Sequence, residues 1–178
     1  MLQFRERFRV YDILAIDVSN YNSNIYLSRN ISCELVDDRK LEMLKKFEND
    51  FWEPEKLYSL AKRQGGEMFV LFDGEIPVSF AALLKKGSKG SYFNIKKSDA
   101  YIGGVFTFSK YRGKGYGTLI CDEMLTYAVK EWNSKIITLC VKPENVIAYQ
   151  VYTKMGFNKI STKRIFLIYK YIIPRYRI

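Results

Sequence analysis

The chain has 178 residues, of which 48% are hydrophobic and 27% charged, a length and balance that favour one folded domain over a disordered chain. It contains no histidine, which excludes Ser-His-Asp and Cys-His catalysis and most catalytic zinc sites, so no metal is expected. The net charge of +10 would attract phosphates, nucleic acid, an anionic membrane or acidic substrates, although solvated lysines that only keep the protein soluble give the same number.

The first 36 residues are predicted to form two strands. Residues 8–18 and 24–36 are rich in Val, Ile and Tyr, and the polar stretch 19–23 separates them. Because β-branched and aromatic side chains favour strands and polar residues favour turns, we interpret these segments as a β-hairpin.

Two helices are predicted next. Asp37 or Asp38 can cap the first turn of a helix whose apolar side chains recur at helical spacing. These side chains are Leu41, Leu44 and Phe47. Pro54 favours the start of a second helix, and the glycines at 65–66 favour its end.

A hairpin and a basic loop follow. Strands are predicted at 68–72 and 76–84, and Asp73-Gly74 between them is typical of a tight hairpin turn. Residues 85–91 form a loop by composition, and 92–97 are strand-like. The lysines of this region could meet a phosphate or an acidic acceptor, or only water. They are Lys85, Lys86, Lys89, Lys96 and Lys97.

The C-terminal half alternates strands and helices. Strands are predicted at 100–108 and 135–141, helices at 115–132 and 145–155, and two short strands within 157–171. Hairpins followed by this alternation indicate an α+β fold with a mixed, mostly antiparallel sheet of six to seven strands flanked by helices. No linker or repeat interrupts the chain, so residues 1–178 are expected to form one domain.

The strand at 100–108 leads into Arg112-Gly113-Lys114-Gly115-Tyr116-Gly117-Thr118, which enters the long helix. Glycines let the backbone approach a ligand closely, and the N–H groups at a helix N-terminus favour anions. This spacing is neither a dinucleotide-binding Gly-x-Gly-x-x-Gly nor a Walker loop. Taken alone, the segment predicts a pyrophosphate site or an ordinary glycine-rich turn.

Two motifs together resemble the GCN5-related N-acetyltransferase (GNAT) superfamily. Arg-x-x-Gly-x-Gly at 112–117 resembles its central motif, and Asn145-x-x-Ala148-x-x-x-Tyr152-x-x-x-Gly156-Phe157 resembles its next one. The resemblance implies the acyl-CoA N-acyltransferase fold, with residues 1–36 as an added N-terminal hairpin. It also implies transfer of the acetyl group of acetyl-CoA to a primary amine by direct attack in a ternary complex.

The resemblance assigns roles to individual residues. The strand before the loop would splay from its neighbour, so that its backbone could pair with the pantetheine of acetyl-CoA. The residues expected to bind this co-substrate are Val105, Thr107, Arg112, Gly113, Lys114, Gly115, Tyr116, Gly117, Thr118 and Asn145. Tyr152 is the candidate general acid for the departing thiolate, and a core tyrosine is the alternative.

The general base and the acceptor stay open at this point. Some relatives use a Glu on the strand before Asn145, but 136–142 has no carboxylate, and Asp99, Glu67 and Glu75 are weaker candidates. Cys140 is expected to be a core thiol. A small amine such as an amino sugar or a nucleotide-linked amino sugar is preferred over a protein amine, and O-acetylation stays open.

Two other classes compete with the enzyme. A nucleic-acid-binding module would need exposed aromatics among basic residues, whereas the aromatics here fall in strand-like runs, so no nucleic-acid partner is expected. A CoA-binding relative without activity is the second class.

Cys33, Cys121 and Cys140 show no paired spacing, which predicts reduced thiols in the cytoplasm. No apolar run predicts a membrane span, and a homodimer is left open.

Overall fold

A computed structural model describes residues 8–21, 23, 25, 27–47, 53–85 and 99–166 of the chain. In chain order these residues form β1 (Phe8–Asp17), β2 (Ile31–Leu35), α1 (Asp38–Lys46), α2 (Pro54–Arg63), β3 (Glu67–Asp73), β4 (Ile76–Lys85), β5 (Ala100–Thr107), a 3-10 turn (Ser109–Tyr111), α3 (Tyr116–Trp132), β6 (Ile136–Val141), α4 (Val146–Lys154) and β7 (Asn158–Phe166). The predicted strand at 92–97 and the basic loop beyond Lys85 lie outside the described residues. The same is true of the end of the predicted C-terminal strands, at 167–171.

The strands form one seven-stranded sheet in the order β2-β3-β4-β5-β6-β1-β7. Five of the six neighbouring pairs are antiparallel, and β5 with β6 is the parallel pair. The predicted mixed, mostly antiparallel α+β sheet is therefore confirmed. Most of the predicted elements also occur at the expected places.

Local sequence signals explain where several elements begin and end. The Asp37 side chain accepts a hydrogen bond from the Lys40 N–H (2.8 Å), which caps α1 as predicted. Pro54 opens α2, and Gly65, just after this helix, has a φ of +61°. Gly74 lies in the turn between β3 and β4 with a φ of +62°, a conformation that glycine adopts without strain.

The N-terminal strands exist, but they do not form the predicted hairpin. β1 lies between β6 and β7, so both of its edges are paired, whereas β2 pairs with β3 at the opposite edge of the sheet. The physical reason is the run 13–16, in which Ile13, Leu14 and Ile16 are all buried. Such a continuous apolar run is typical of an interior strand that is covered on both faces.

Two apolar layers cover the two faces of the sheet. One layer joins α3 to the sheet through residues such as Leu14, Leu83, Ile102, Ile120 and Leu139; we name it the α3 layer. The other joins α1 and α2 to the opposite face through residues such as Leu44, Leu57, Val70, Phe80 and Phe106; we name it the α1/α2 layer. Among the described helices, none is both long and apolar enough to cross a membrane.

Candidate functional site

The sheet opens where β5 and β6 part. Their parallel ladder consists of three residue pairs and ends at Ile102–Leu139. β5 nevertheless continues to Thr107 and β6 to Val141. We name the space between residues 103–107 and 140–141 the strand gap. The predicted cofactor-binding residues Val105 and Thr107 both lie on the β5 side of it.

A β-bulge shapes the β5 side of the strand gap. Between the pairs Phe80–Phe106 and Ala82–Gly103, β5 advances by one residue more than β4. Gly104 takes up this extra residue with a φ of +62°, and a Cβ there would lie 2.7 Å from Cδ1 of Leu57 on α2. A bulge bends its strand and ends regular pairing, so Gly103-Gly104 accounts for the early end of the ladder.

The loop between β5 and α3 forms a cradle of backbone N–H groups. Gly113 and Gly115 have φ values of +79° and +83°. In the described part of the chain, the N–H groups of residues 113–117 donate no hydrogen bond to another protein atom. They lie at the positive end of the 17-residue helix α3. Consecutive free N–H groups at a helix N-terminus fit a pyrophosphate.

Cations surround this cradle. Lys110, Arg112 and Lys114 are exposed, and both lysine ammonium groups lie 5.8 Å from the centre of the Tyr111 ring. The Arg112 Nε–H donates to the Thr107 carbonyl (3.0 Å), and the guanidinium carbon lies 5.7 Å from the centre of the Phe106 ring. Arg112 therefore also holds the loop against β5.

Three predicted residues contribute to the loop in different ways. The Tyr116 side chain is buried, and its hydroxyl donates to Asp73 (2.5 Å), so this residue offers a ligand its backbone N–H and not its ring. The Thr118 N–H donates to the Gly115 carbonyl (2.9 Å), so the group that this residue can offer a ligand is its half-buried hydroxyl. At Gly117 a Cβ would meet Thr107 Oγ1 at 3.6 Å.

Tyr152 approaches the strand gap from α4. Its ring contacts Phe157, with 6.0 Å between ring centres, and packs on the α3 layer. Burial, together with the nearby thiols of Cys121 and Cys140, raises the pKa of Tyr152 above its ordinary value. The phenol is therefore protonated at neutral pH and acts as a hydrogen-bond donor.

Tyr101 is a site residue that the sequence analysis missed. It belongs to the second of the three paired rungs of β5 with β6, and its hydroxyl lies 2.8 Å from Sγ of Cys140. Burial, with Cys140 beside it, raises the pKa of Tyr101 well above its ordinary value. A tyrosine in a strand-like run gives no signal of this kind, because its partner lies 39 residues away in the sequence.

Cys140 lies near the end of β6, and Asn145 follows the turn after this strand. Asn145 is exposed, and its side chain accepts a hydrogen bond from the Ala148 N–H (3.2 Å), which caps α4 and leaves its amide N–H₂. Cys140 is partly buried, and burial raises the pKa of its thiol. This thiol is therefore mostly protonated at neutral pH and a weak nucleophile.

Of the three weaker candidates for a general base, two have partners elsewhere and the third lies in a turn. Asp99 accepts from the N–H groups of Lys135 and Ile136 at 2.9 and 3.0 Å, which ties down the start of β6. Glu67 forms an ion pair with Lys62 (3.2 Å), and Glu75 is exposed in the turn between β3 and β4. Among the described residues, no group of three or more metal-ligating side chains is assembled.

Comparison with known proteins agrees with this geometry. Residues 35–157, more than half of the chain, match the model of the acetyltransferase (GNAT) family. The chain belongs to the GNAT family. The matched segment contains the strand gap, the N–H cradle, Asn145 and Tyr152, and members of this family are acetyltransferases that use acetyl-CoA.

Solved GNAT structures share the fold at low sequence identity. Spermidine N-acetyltransferase from Vibrio cholerae, in complex with CoA and spermine, is 19% identical with a TM-score of 0.57, over 79% of this chain and 96% of that one. A GCN5-related N-acetyltransferase from Kribbella flavida is 16% identical (TM-score 0.55; 87% and 57% covered). A glucosamine N-acetyltransferase region of a fungal β-N-acetylglucosaminidase is 13% identical (TM-score 0.65; 90% and 21% covered).

The lengths of the matched structures differ. The chain spans about half to two thirds of several of them, 52% of one and 63% of another. The three GNAT structures named above are each less than 20% identical to this chain. Such similarity establishes the shared fold, and the acceptor must be inferred from the site itself.

Proposed function

We propose that this protein transfers the acetyl group of acetyl-CoA to the primary amine of a small molecule, by direct attack in a ternary complex. The observation that carries the proposal is the strand gap, which has the N–H cradle at one end and the Tyr152 phenol beside it. A thioester held along β5 would have its pyrophosphate at the cradle and its sulfur within reach of α4.

The chain supplies the binding groups as follows. The N–H groups of 113–117 hold the pyrophosphate, and Lys110, Arg112 and Lys114 add positive charge. Thr118 offers its hydroxyl. The backbone of Val105 and Thr107 pairs with the pantetheine amides. Asn145 donates its amide N–H₂ to the co-substrate.

In the reaction, the amine nitrogen attacks the thioester carbonyl carbon, and the C–S bond then breaks. The sulfur leaves as a thiolate that needs a hydrogen-bond donor or a proton, and Tyr152 offers its O–H. The phenol has a raised pKa, above the ordinary value near 8.5 for a thiol. Tyr152 therefore stabilises the departing sulfur mainly by donating a hydrogen bond.

The acceptor we propose is an amino sugar, free or nucleotide-linked. The described groups that face the strand gap on the α1/α2 side, Tyr101 and Cys140, are neutral hydrogen-bonding groups. A polyamine carries several positive charges, and a site that binds it would be expected to present carboxylates there. The three free thiols are consistent with a reducing compartment such as the cytoplasm.

The test has two stages. Calorimetry measures acetyl-CoA binding by wild type, by Arg112→Ala and by the matched control Arg63→Ala. Arg63 resembles Arg112 in that its Nε–H also donates to a backbone carbonyl, that of Ser59 at 3.3 Å. We expect Arg112→Ala to weaken binding about tenfold, because a charged contact and the loop brace are lost, and Arg63→Ala to have no effect.

Release of free CoA is then measured with glucosamine, UDP-glucosamine, spermidine and a lysine-containing peptide. Release with a sugar amine supports the proposal. Release with the peptide alone would move the function to a protein amine, and a hydroxyl acceptor would be recognised by an ester product. Binding of acetyl-CoA without release on any acceptor would indicate a non-catalytic relative, and no binding at high micromolar acetyl-CoA would exclude the proposal.

A further inference from the structure

Tyr101 and Cys140 form a pair on one side of the strand gap. Ala100 and Ile102, the neighbours of Tyr101 in β5, pack in the α3 layer, and so do Leu139 and Val141 beside Cys140. Side chains alternate between the faces of a strand. Tyr101 and Cys140 therefore both point to the opposite face, where Tyr101 packs on the α1/α2 layer.

Tyr152 lies on the other side of the same gap. It packs on the α3 layer, whereas Tyr101 packs on the α1/α2 layer, so the two phenols lie on opposite faces of the sheet. A thioester between them would have its leaving sulfur beside Tyr152 and its other face toward Tyr101.

Resting on the acetyltransferase function proposed above, we propose that Tyr101 binds the attacking amine. Its hydroxyl donates to Cys140 Sγ, and its oxygen accepts a hydrogen bond from an amine N–H. Cys140 is the positioning residue, because it fixes the direction of the Tyr101 O–H and does not touch the amine.

The chemistry of the two groups supports this division of roles. A phenol is the better donor of the two, since a thiol is only a weak donor and acceptor. Once the Tyr101 proton points at sulfur, a lone pair of its oxygen can orient an amine so that the nitrogen lone pair faces the carbonyl carbon. Orientation of this kind lowers the barrier without proton transfer.

The backbone leaves room for this ring. A Cβ at Gly103 would lie 3.1 Å from Cε1 of Tyr101, so the ring lies along β5 toward the strand gap. Gly103→Ala would press on the ring and displace it, while the hydroxyl group itself is kept. This substitution therefore tests the position of Tyr101 separately from its chemistry.

The experiment compares Tyr101→Phe, Cys140→Ser, Cys140→Ala and Gly103→Ala with wild type. Tyr58→Phe is the matched control, because the Tyr58 hydroxyl also has one side-chain partner, Asp38 at 3.1 Å, and lies on α2. Acetyl-CoA affinity is measured by calorimetry. KM for the amine and kcat are measured by CoA release with glucosamine and with spermidine.

We expect Tyr101→Phe to lower kcat/KM for the amine about tenfold, mainly through KM, with unchanged acetyl-CoA affinity. Cys140→Ser keeps a hydroxyl partner and should retain more of this kcat/KM than Cys140→Ala. Cys140→Ala and Gly103→Ala should fall between wild type and Tyr101→Phe, and Tyr58→Phe should match wild type.

The outcomes separate this inference from the function on which it rests. An unchanged kcat/KM in Tyr101→Phe, or an equal loss of acetyl-CoA affinity, would overturn the inference and leave the transferase in place. A Cys140→Ala variant that behaves as wild type would overturn the role of Cys140. If wild type releases no CoA with glucosamine, UDP-glucosamine, spermidine or the peptide, the acetyltransferase function and the inference fail together.

Discussion

Tyr101, Cys140 and Tyr152 are largely enclosed by apolar side chains, which makes the charged form of each group costly. Burial raises the pKa of all three, and burial also raises the pKa of Cys121, behind Tyr152, to about 12. Tyr101, Cys140 and Tyr152 are therefore neutral at physiological pH. They can donate or accept hydrogen bonds, and the proton of the amine must leave by water or another acceptor.

Replacing Tyr152 by Phe should lower kcat roughly 100-fold, because one hydrogen bond to the leaving sulfur is lost in the transition state. Acetyl-CoA affinity should stay within about twofold of wild type, since the ring and its contact with Phe157 are kept. Steady-state kinetics with glucosamine and calorimetry measure the two effects. Tyr149→Phe, on the same helix and also partly buried, is the control, and a full kcat in Tyr152→Phe would refute the donor role.

The raised pKa of Tyr152 makes a prediction about pH. A phenol with a raised pKa keeps its proton below that pKa and loses it only above, so its donor function should persist beyond the ordinary value of 10.0. We expect kcat at saturating glucosamine to show no alkaline decline between pH 7 and pH 10. A decline with a midpoint below 10 that disappears in Tyr152→Phe would contradict this environment for the phenol.

At the scale of elements, the site depends on two irregular backbones, the bulge at Gly103-Gly104 and the loop before α3. The sequence indicated the loop, because glycines between a strand pattern and a helix pattern are a local signal. It did not indicate the bulge, since two glycines in a strand-like run do not show which neighbouring strand loses its register. The starts of α1 and α2 and the turn between β3 and β4 were predictable for the same local reason. Asp37, Pro54 and Gly74 each favour a backbone conformation at their own position.

Gly115→Ala should weaken acetyl-CoA binding at least tenfold, because φ at this position is +83° and a side chain there disfavours the conformation that aims the N–H groups. Gly65→Ala is the matched control: its φ is +61°, and, as at Gly115, a Cβ would meet nothing within 4 Å. Both variants should lose about 1 kcal/mol of unfolding free energy, measured in urea. Equal acetyl-CoA affinity in the two variants would argue against the cradle.

At the scale of the whole molecule, β1 lies between β6 and β7 and thereby joins β7 to the rest of the sheet. Val18, after β1, donates to the Lys135 carbonyl (2.7 Å), and the chain then crosses α3, where Tyr21 and Ser23 donate to Asp122. Local patterns predicted both strands but paired them with each other, because a polar break between two strand-like runs usually marks a hairpin. Contacts between residues about 100 positions apart leave no such local trace.

The buried carboxylate of Asp122 should therefore contribute to stability and not to catalysis. It is 2% exposed and accepts hydrogen bonds from the hydroxyls of Tyr21 and Ser23, the latter at 2.5 Å. In Asp122→Asn the charge-assisted bonds are weakened and an amide N–H₂ faces a hydroxyl, which should cost about 1–3 kcal/mol. For a domain of this size, that corresponds to a Tm about 3–10 °C lower, measured by calorimetry.

Controls make this last prediction specific to the crossing of the chain over α3. Glu123→Gln changes the neighbouring charge without these hydrogen bonds and should leave Tm within about 1 °C. Tyr21→Phe combined with Asp122→Asn should lose less stability than the sum of the two single variants, because both remove the same bond. Acetyl-CoA affinity should be unchanged in every variant. Strict additivity, or an unchanged Tm in Asp122→Asn, would mean that the connection from β1 to β2 is held on α3 by its apolar contacts alone.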